Sequence, residues 1–159
     1  RVRHLEDRAA IAQLISSYGP SVDSGSAEPT AALWSSDGMY AFSASEMSDE
    51  VVVLDGAAAI AAMVDGPGHQ EIIRGGAAHV LSAPHIVVNG DSAVAIAYSL
   101  LLRRDASGTG FVVARMGANR WDLERDAGGW SVRRRTQSML DGREASRDLL
   151  RAAAGHRTI

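Results

Sequence analysis

Apolar residues near the start of the chain recur with the spacing of an α-helix. They place one apolar stripe on a helix that begins near Leu5. The residues of this stripe are Ile11, Leu14, Ile15, Tyr18 and Val22. Gly19-Pro20 is expected to interrupt the helix, because proline lacks the N–H that would bond back to Ser16. Asp23 is therefore expected to follow a kink at the end of this amphipathic helix.

The segment from residue 29 to residue 75 alternates between short helical and short extended patterns. A turn at Ser36-Asp37-Gly38 and a break at Gly66-Pro67-Gly68 separate these elements. The predicted elements are a helix at 29–34, strands at 39–43 and 51–54, an Ala-rich helix that ends at 64, and a short segment at 70–74 without a clear pattern.

From residue 76 onward the hydrophobic pattern changes to that of extended strands. The predicted strands are 77–88, 92–104, 110–125 and 130–139, and a last amphipathic segment at 141–153 predicts a C-terminal helix. Turn residues such as Asn89-Gly90 join the strands as long antiparallel hairpins. Helices followed by such a meander predict an α+β layer architecture, and residues 1–159 fit one domain.

Composition excludes several classes of function. With a net charge of -3, a pI of about 5.9 and 5% aromatic residues, the chain lacks the basic surface that nucleic acids require. It contains no cysteine and no lysine, which excludes thiolate nucleophiles, zinc–thiolate sites and Schiff-base catalysis. No apolar run approaches the roughly 20 residues of a membrane span and no leader opens the sequence, so we expect a cytoplasmic protein without a membrane partner.

Two ionisable residues in apolar surroundings are the strongest candidates for chemistry. Asp23 ends the first helix, and His79 lies in a strand-like run with alanines before it. A neighbouring carboxylate sets the tautomer of an imidazole and stabilises its charged form, so the pair indicates acid–base chemistry on a small molecule. A straight strand would hold His79 roughly 20 Å from His85, at about 3.3 Å per residue, which is too far for one metal ion. We expect neither a metal nor another cofactor, since no dinucleotide or nucleophile motif occurs.

Several short motifs follow one another in an informative order. They are Ile11-Ala-Gln-Leu-Ile-Ser-Ser-Tyr18 followed by Asp23, Leu33-Trp34-Ser-Ser-Asp37-Gly38-Met-Tyr40, Asp55-Gly56 with its helix, His79 before an Asn89-Gly90-Asp91 turn, and Gly129-Trp130. This series, over roughly residues 5–142, resembles the SnoaL-like family of the nuclear-transport-factor-like superfamily. The resemblance implies a single domain shaped as a cone-like α+β barrel, with a curved mixed or antiparallel sheet around the N-terminal helices. It also implies a homodimer or homotrimer.

The resemblance is closest to the branch that includes scytalone dehydratase and hexachlorocyclohexane dehydrochlorinase, and ketosteroid isomerase is another relative. It implies that His79 removes a proton, that Asp23 holds His79, and that Arg135 assists the leaving group. In a regular strand Arg135 would share a face with the polar residues Ser131 and Arg133. Its access to a pocket therefore requires polar neighbours there or a β-bulge.

These observations predict a cofactor-independent lyase or isomerase, similar to a dehydratase, that acts on a small hydrophobic substrate such as a cyclic or polyketide-like molecule. Tyr18, Tyr40 or Tyr98 could donate a hydrogen bond to the developing oxyanion. Trp34 is a further candidate for substrate binding, and packing is its alternative role. The alternative function is a non-catalytic protein that holds a small molecule in the same apolar cone, because a fold does not settle a function.

Overall fold

Helix α1 (Val2–Asp23) is continuous, although Pro20 lies inside it. The computed structural model describes residues 2–44 and 50–154. The expected interruption at Gly19-Pro20 is wrong, because one face of α1, from Ile11 to Val22, is buried against the rest of the domain. Tertiary packing of this kind stabilises a helix more than local propensity does, and it outweighs the hydrogen bond that proline removes.

Within the described ranges, four shorter helices follow α1. They are α2 (Ala27–Ala31), α3 (Ala57–Asp65), α4 (Pro67–Arg74) and α5 (Glu144–Ala154). Pro67 lies at the start of α4, where its missing N–H would have no partner in any case. Gly66-Pro67-Gly68 is therefore a boundary between two helices. None of the helices in these ranges is long and apolar enough to cross a membrane.

The described residues form one mixed sheet. Its strands are β1 (Trp34–Ser43), β2 (Val51–Asp55), β3 (Ala77–Leu81), β4 (His85–Asn89), β5 (Ser92–Arg104), β6 (Phe111–Asp126) and β7 (Gly129–Met139). The strand order is β2-β1-β7-β6-β5-β3, and β4 also pairs with β5. β1 and β7 are parallel, and the other paired strands are antiparallel. Since β2 and β3 do not pair with each other, the sheet of the described residues is open rather than a closed barrel.

Two predicted boundaries move in the structure. Trp34 begins β1 instead of ending the second helix, which stops at Ala31. The single strand predicted at 77–88 is divided at residues 82–84 into β3 and β4, and both pieces pair with β5. Pro84 explains the division, because it has no N–H to offer to a ladder.

The hydrophobic core lies between α1, α3 and the face of the sheet that α1 covers. α1 contacts β3, β4 and β7. The large side chains of this core are Ile11, Ile15, Tyr18, Val22, Trp34, Ile60, Val64, Trp121, Leu123 and Val132. On β5 the small residues Ala93 and Ala95 face this core, as their alternation with bulky residues predicts. Ile96 points to the opposite face, where Ala152 of α5 lies near it. The expected α+β class is confirmed.

Candidate active site

Asp23 and His79 meet where the end of α1 lies against the middle of β3. The Oδ1 atom of Asp23 lies 2.6 Å from His79 Nδ1, and the backbone N–H of His79 donates to Asp23 Oδ2 at 2.7 Å. Each side chain is 22% exposed, so water reaches the pair only in part. Because the carboxylate engages Nδ1, the neutral imidazole carries its proton on that atom, and Nε2 is left as the basic nitrogen.

Gly19 allows α1 and β3 to approach closely enough for this contact. A Cβ atom at this position would lie 2.3 Å from the backbone oxygen of His79. Gly19 is one helical turn before Asp23, so both residues lie on the side of α1 that faces β3. The Gly19-Pro20 pair, which the sequence presents as a helix breaker, therefore supplies the close approach that brings Asp23 to His79.

His69 is a second buried histidine beside this pair, and sequence analysis did not single it out. It lies in α4, is 8% exposed, and its Nε2 is 2.7 Å from the backbone oxygen of Val22, the residue before Asp23. Since a carbonyl oxygen only accepts, His69 donates from Nε2. Its ring centroid is 5.9 Å from that of His79. His69 thus anchors the end of α1 directly behind the Asp23–His79 contact.

A cavity, called here the His79 cavity, opens beside the imidazole. Its side chains enclose about 490 Å³ of empty space, part of it open to solvent. The cavity volume itself is about 80 Å³, which is smaller than the roughly 300–1,000 Å³ typical of small-molecule sites. The lining residues are Tyr18, Tyr40, Phe42, His79, Leu81, Ser99, Leu100, Leu101, Arg115, Arg135 and Gln137. Among the described residues, the lining contains two arginines and a histidine but no carboxylate.

A β-bulge turns Arg135 into the His79 cavity. Along the β6–β7 pair, Asp122 is opposite Arg134, and the next residue, Leu123, is opposite Val132. Arg133 is therefore an extra residue in β7, and the alternation of faces changes there. Val132 and Arg135 both become buried on the inner side. The bulge that the sequence required for Arg135 is present.

Arg135 is a buried cation that has no acidic partner within residues 2–44 and 50–154. It is 2% exposed, and its Nε and Nη2 atoms both donate to Asn119 Oδ1, at 2.9 Å and 2.8 Å. Its Nη1 atom has no hydrogen-bond partner in the part of the chain that the structure describes. The guanidinium carbon lies 4.2 Å, 4.3 Å and 4.6 Å from the ring centroids of Tyr18, Trp121 and Tyr40. Cation–π attraction and a neutral amide thus hold a guanidinium whose charge is not neutralised.

Tyr18 and Tyr40 line the His79 cavity. The Tyr18 ring packs edge-on against His79, with 6.1 Å between the ring centroids, and it also contacts the guanidinium of Arg135. Tyr18 therefore contacts both His79 and the guanidinium of Arg135. Burial raises the pKa of the Tyr40 hydroxyl well above its ordinary value, so this residue stays a neutral hydrogen-bond donor.

Two other predicted substrate-binding residues do not line the His79 cavity. Trp34 is buried behind it and packs against the rings of Tyr18 and Tyr40, which is the packing role named as its alternative. Tyr98 is 44% exposed, and its neighbour Ser99 is the one that lines the cavity. Since adjacent residues of a strand point to opposite faces, Tyr98 lies on the outer face of the sheet, and a role in substrate binding here is not supported.

The described ranges contain no group of three histidine, aspartate or glutamate side chains that could hold a metal ion. His79 and His85 lie in different strands, β3 and β4. The side chains of the His79 cavity therefore offer general acid–base groups, hydrogen-bond donors and apolar walls as their chemistry.

Comparison with other proteins places this chain in a known family. The family model described as SnoaL-like domain matches residues 3–136. The crystal structure of an NTF2-like protein with a cystatin-like fold from Novosphingobium aromaticivorans is 43% identical, covers 94% of this chain and 92% of that chain, and has a TM-score of 0.87. No curated protein matches the sequence.

More distant structures share the fold. A candidate scytalone dehydratase from Novosphingobium aromaticivorans is 20% identical, covers 86% of this chain and 85% of that chain, and has a TM-score of 0.67. The beta subunit of a candidate aromatic-ring-hydroxylating dioxygenase from that organism is 18% identical, covers 87% and 92% of the two chains, and has a TM-score of 0.66. Because the family model spans most of the sequence, this chain belongs to the SnoaL-like family.

Proposed function

We propose that this protein is a cofactor-independent lyase or isomerase in which His79 removes a proton from a small hydrophobic substrate. The observation that carries the proposal is the 2.6 Å contact between Asp23 and Nδ1 of a histidine that lines a cavity with apolar walls. Membership of the SnoaL-like family supports a small-molecule function. The shared fold of a candidate scytalone dehydratase favours dehydration as the reaction.

The first chemical step is a proton transfer to His79. Its Nε2 takes a proton from a carbon next to a carbonyl. The electron pair of that C–H bond forms a C=C bond, and the π electrons of the carbonyl move to its oxygen, which gives an enolate. Asp23 holds Nδ1 and stabilises the imidazolium that forms. In a dehydration the enolate then expels a β-hydroxyl group, which takes the proton from His79 and leaves as water. In an isomerisation the proton returns to a different carbon.

Arg135 and Tyr40 support the charge that develops on the substrate oxygen. Both line the His79 cavity, and the Nη1 of Arg135 has no partner among the described residues. A donor that is already in place stabilises an oxyanion without reorganising during the reaction. The family resemblance implies that Arg135 assists the leaving group. The same N–H can bind either the oxygen of the leaving group or the oxygen of the developing enolate. Positioned base catalysis by His79 contributes about 10² to 10⁴-fold in rate.

The competing function is ligand binding without turnover in the same cavity. The two functions are separated by a panel of cyclic β-hydroxy ketones, with formation of the conjugated enone followed by absorbance. Wild-type protein is expected to dehydrate at least one member of the panel. His79→Ala is expected to lose about 100-fold or more in kcat/KM with a modest change in ligand affinity.

Binding of the same compounds is measured by thermal shift on both proteins. Compounds that bind wild-type protein without any conversion would favour the binding protein. Unchanged turnover in His79→Ala would exclude His79 as the base. His4→Ala is the matched control, because His4 is exposed near the start of α1 and is expected to keep full activity.

A further inference from the structure

We infer that the substrate is a ring-sized organic acid whose carboxylate binds Arg115 at the mouth of the His79 cavity. This inference rests on the lyase or isomerase function proposed above, and it names the substrate class for that site. Its basis is a charge imbalance: the guanidinium groups of Arg115 and Arg135 line the cavity, and no acidic side chain of residues 2–44 and 50–154 does. The protein as a whole carries a net charge of -3, so the imbalance is local.

Elsewhere in the described ranges, arginines commonly pair with carboxylates. Arg125 contacts both Asp7 and Asp91, and Arg120 binds Asp122 through two nitrogens. Neither arginine of the His79 cavity has such a partner. Cavities lined by one sign of charge focus their field on the opening and attract ligands of the opposite sign.

Arg115 has the position and the freedom to receive an anion. It lies on β6 opposite Leu101, lines the cavity and is exposed to solvent, which places it at the mouth. In residues 2–44 and 50–154 its guanidinium makes no hydrogen bond and no ion pair. A free guanidinium presents two parallel N–H groups, and this fork matches the two oxygens of a carboxylate.

Arg135 is an independent sign that the ligand brings negative charge. A buried cation is costly unless an anion compensates it, and the partner of Arg135 is the neutral amide of Asn119. Asn119 occupies the Nε–Nη2 edge and aromatic rings lie against the guanidinium, so Nη1, which is itself buried, is the Arg135 nitrogen without a hydrogen-bond partner among the described residues. That single donor suits the reacting oxygen of the substrate, whereas the two-oxygen carboxylate suits Arg115.

The other lining residues of the cavity indicate the size and polarity of the rest of this acid. Phe42, Leu81 and Leu101 provide apolar lining, and the rings of Tyr18 and Tyr40 add to it. A cavity of about 80 Å³ with an open mouth favours a compact body, such as one ring held partly in the mouth, over an extended chain. Aromatic and alicyclic carboxylates are therefore the class that fits best.

Calorimetric titration at low salt tests the inference without turnover. The ligands are benzoate and cyclohexanecarboxylate, and benzamide is the neutral probe of similar shape. Wild-type protein is expected to bind at least one carboxylate about 10-fold or more tightly than benzamide. Arg115→Gln is expected to weaken carboxylate binding by about 10- to 100-fold and to leave benzamide unchanged, since a hydrogen bond to a charged group is lost. Arg115→Lys is expected to restore part of the affinity.

Arg134→Gln is the matched control, because Arg134 is exposed on the same strand as Arg135 and does not line the cavity. Equal affinity for benzamide and both carboxylates, or full carboxylate affinity in Arg115→Gln, would overturn the inference. Displacement of the carboxylates by equal concentrations of chloride or phosphate would overturn it too, in favour of a general anion site. Carboxylate binding that depends on Arg115 but is followed by no turnover of any ring acid would instead overturn the proposed function and leave the carboxylate site standing.

Discussion

The carboxylate of Asp23 holds His79 at two atoms. One oxygen lies 2.6 Å from the ring Nδ1, and the other accepts the backbone N–H of His79 at 2.7 Å. The first contact orients the imidazole, and the second fixes the strand that carries it. The position of the His79 imidazole is therefore set by the packing of α1 on β3, and a change in either contact is expected to alter the other.

Asp23→Asn is expected to lower kcat by about 10² to 10⁴-fold. An amide has one acceptor oxygen and one donor nitrogen, so it cannot accept from both the backbone N–H and Nδ1–H of His79. If the oxygen keeps the backbone N–H, the amide nitrogen donates to Nδ1, and the imidazole proton moves to Nε2. Steady-state kinetics measures the loss, and nitrogen NMR of His79 identifies the tautomer. A variant with full activity would contradict the role of Asp23.

Gly19→Ala is expected to lower the free energy of unfolding by about 1–3 kcal/mol, because the added Cβ meets the backbone oxygen of His79. The displacement of β3 is also expected to reduce kcat. Gly68→Ala is the matched control: Gly68 lies in α4, and a Cβ there would meet no atom within 4 Å.

For Gly68→Ala a gain of about 0.5–1 kcal/mol is expected, from the better helix propensity of alanine. Urea denaturation measures both variants. Equal stabilisation of the two would show that α1 and β3 do not touch at Gly19.

His69→Phe tests whether the second histidine positions the end of α1. The variant keeps a ring of similar size but leaves the carbonyl of Val22 without its donor, which is expected to cost about 1–3 kcal/mol. Because Asp23 is the next residue, we expect kcat to fall while KM changes little. His4→Phe, at an exposed position, is expected to change neither quantity. Loss of stability with an unchanged kcat would limit His69 to a structural role.

Because the Tyr40 hydroxyl is buried, the free energy of unfolding is expected to decrease at alkaline pH. Burial raises the pKa of Tyr40 in the folded protein above the value of about 10 in the unfolded chain, so the folded state keeps this proton longer. The contribution is complete below about pH 10 and is lost as the pH rises toward the folded value. From pH 10 to 11 the wild-type protein is expected to lose about 1 kcal/mol more than Tyr40→Phe.

Urea denaturation across that interval checks this difference, with Tyr98→Phe as the exposed control. Parallel curves for the wild-type protein and Tyr40→Phe would contradict the buried, protonated state of Tyr40.

Local patterns predicted elements wherever the signal and its cause are neighbours in sequence. The strand predicted at 92–104 coincides with β5, because its alternation and the flanking turns are all local features. The helix predicted at 141–153 is α5, which begins at Glu144 and ends at Ala154. The prediction failed at Pro20 and Trp34, where packing against distant residues decides whether a helix continues or a strand begins.

The candidate site was predictable in its residue types and only partly in its geometry. Asp23 and His79 stood out from their surroundings, and the structure brings them together. The direction of Arg135 depends on a bulge whose position is set by the pairing of β7 with β6. His69 gave no signal of its own, because its contact with Val22 joins residues 47 positions apart in the chain.

The sequence by itself determined most of the helices and strands in their order, the α+β class, and the presence of one acid and one imidazole suited to proton transfer. These follow from periodicity and side-chain chemistry, which act over a few residues. Only the tertiary structure decided that α1 passes through Pro20, that Arg135 turns inward without a carboxylate, and that Tyr98 faces outward. Each of these depends on contacts between distant segments, which exist only after the sheet has packed around α1.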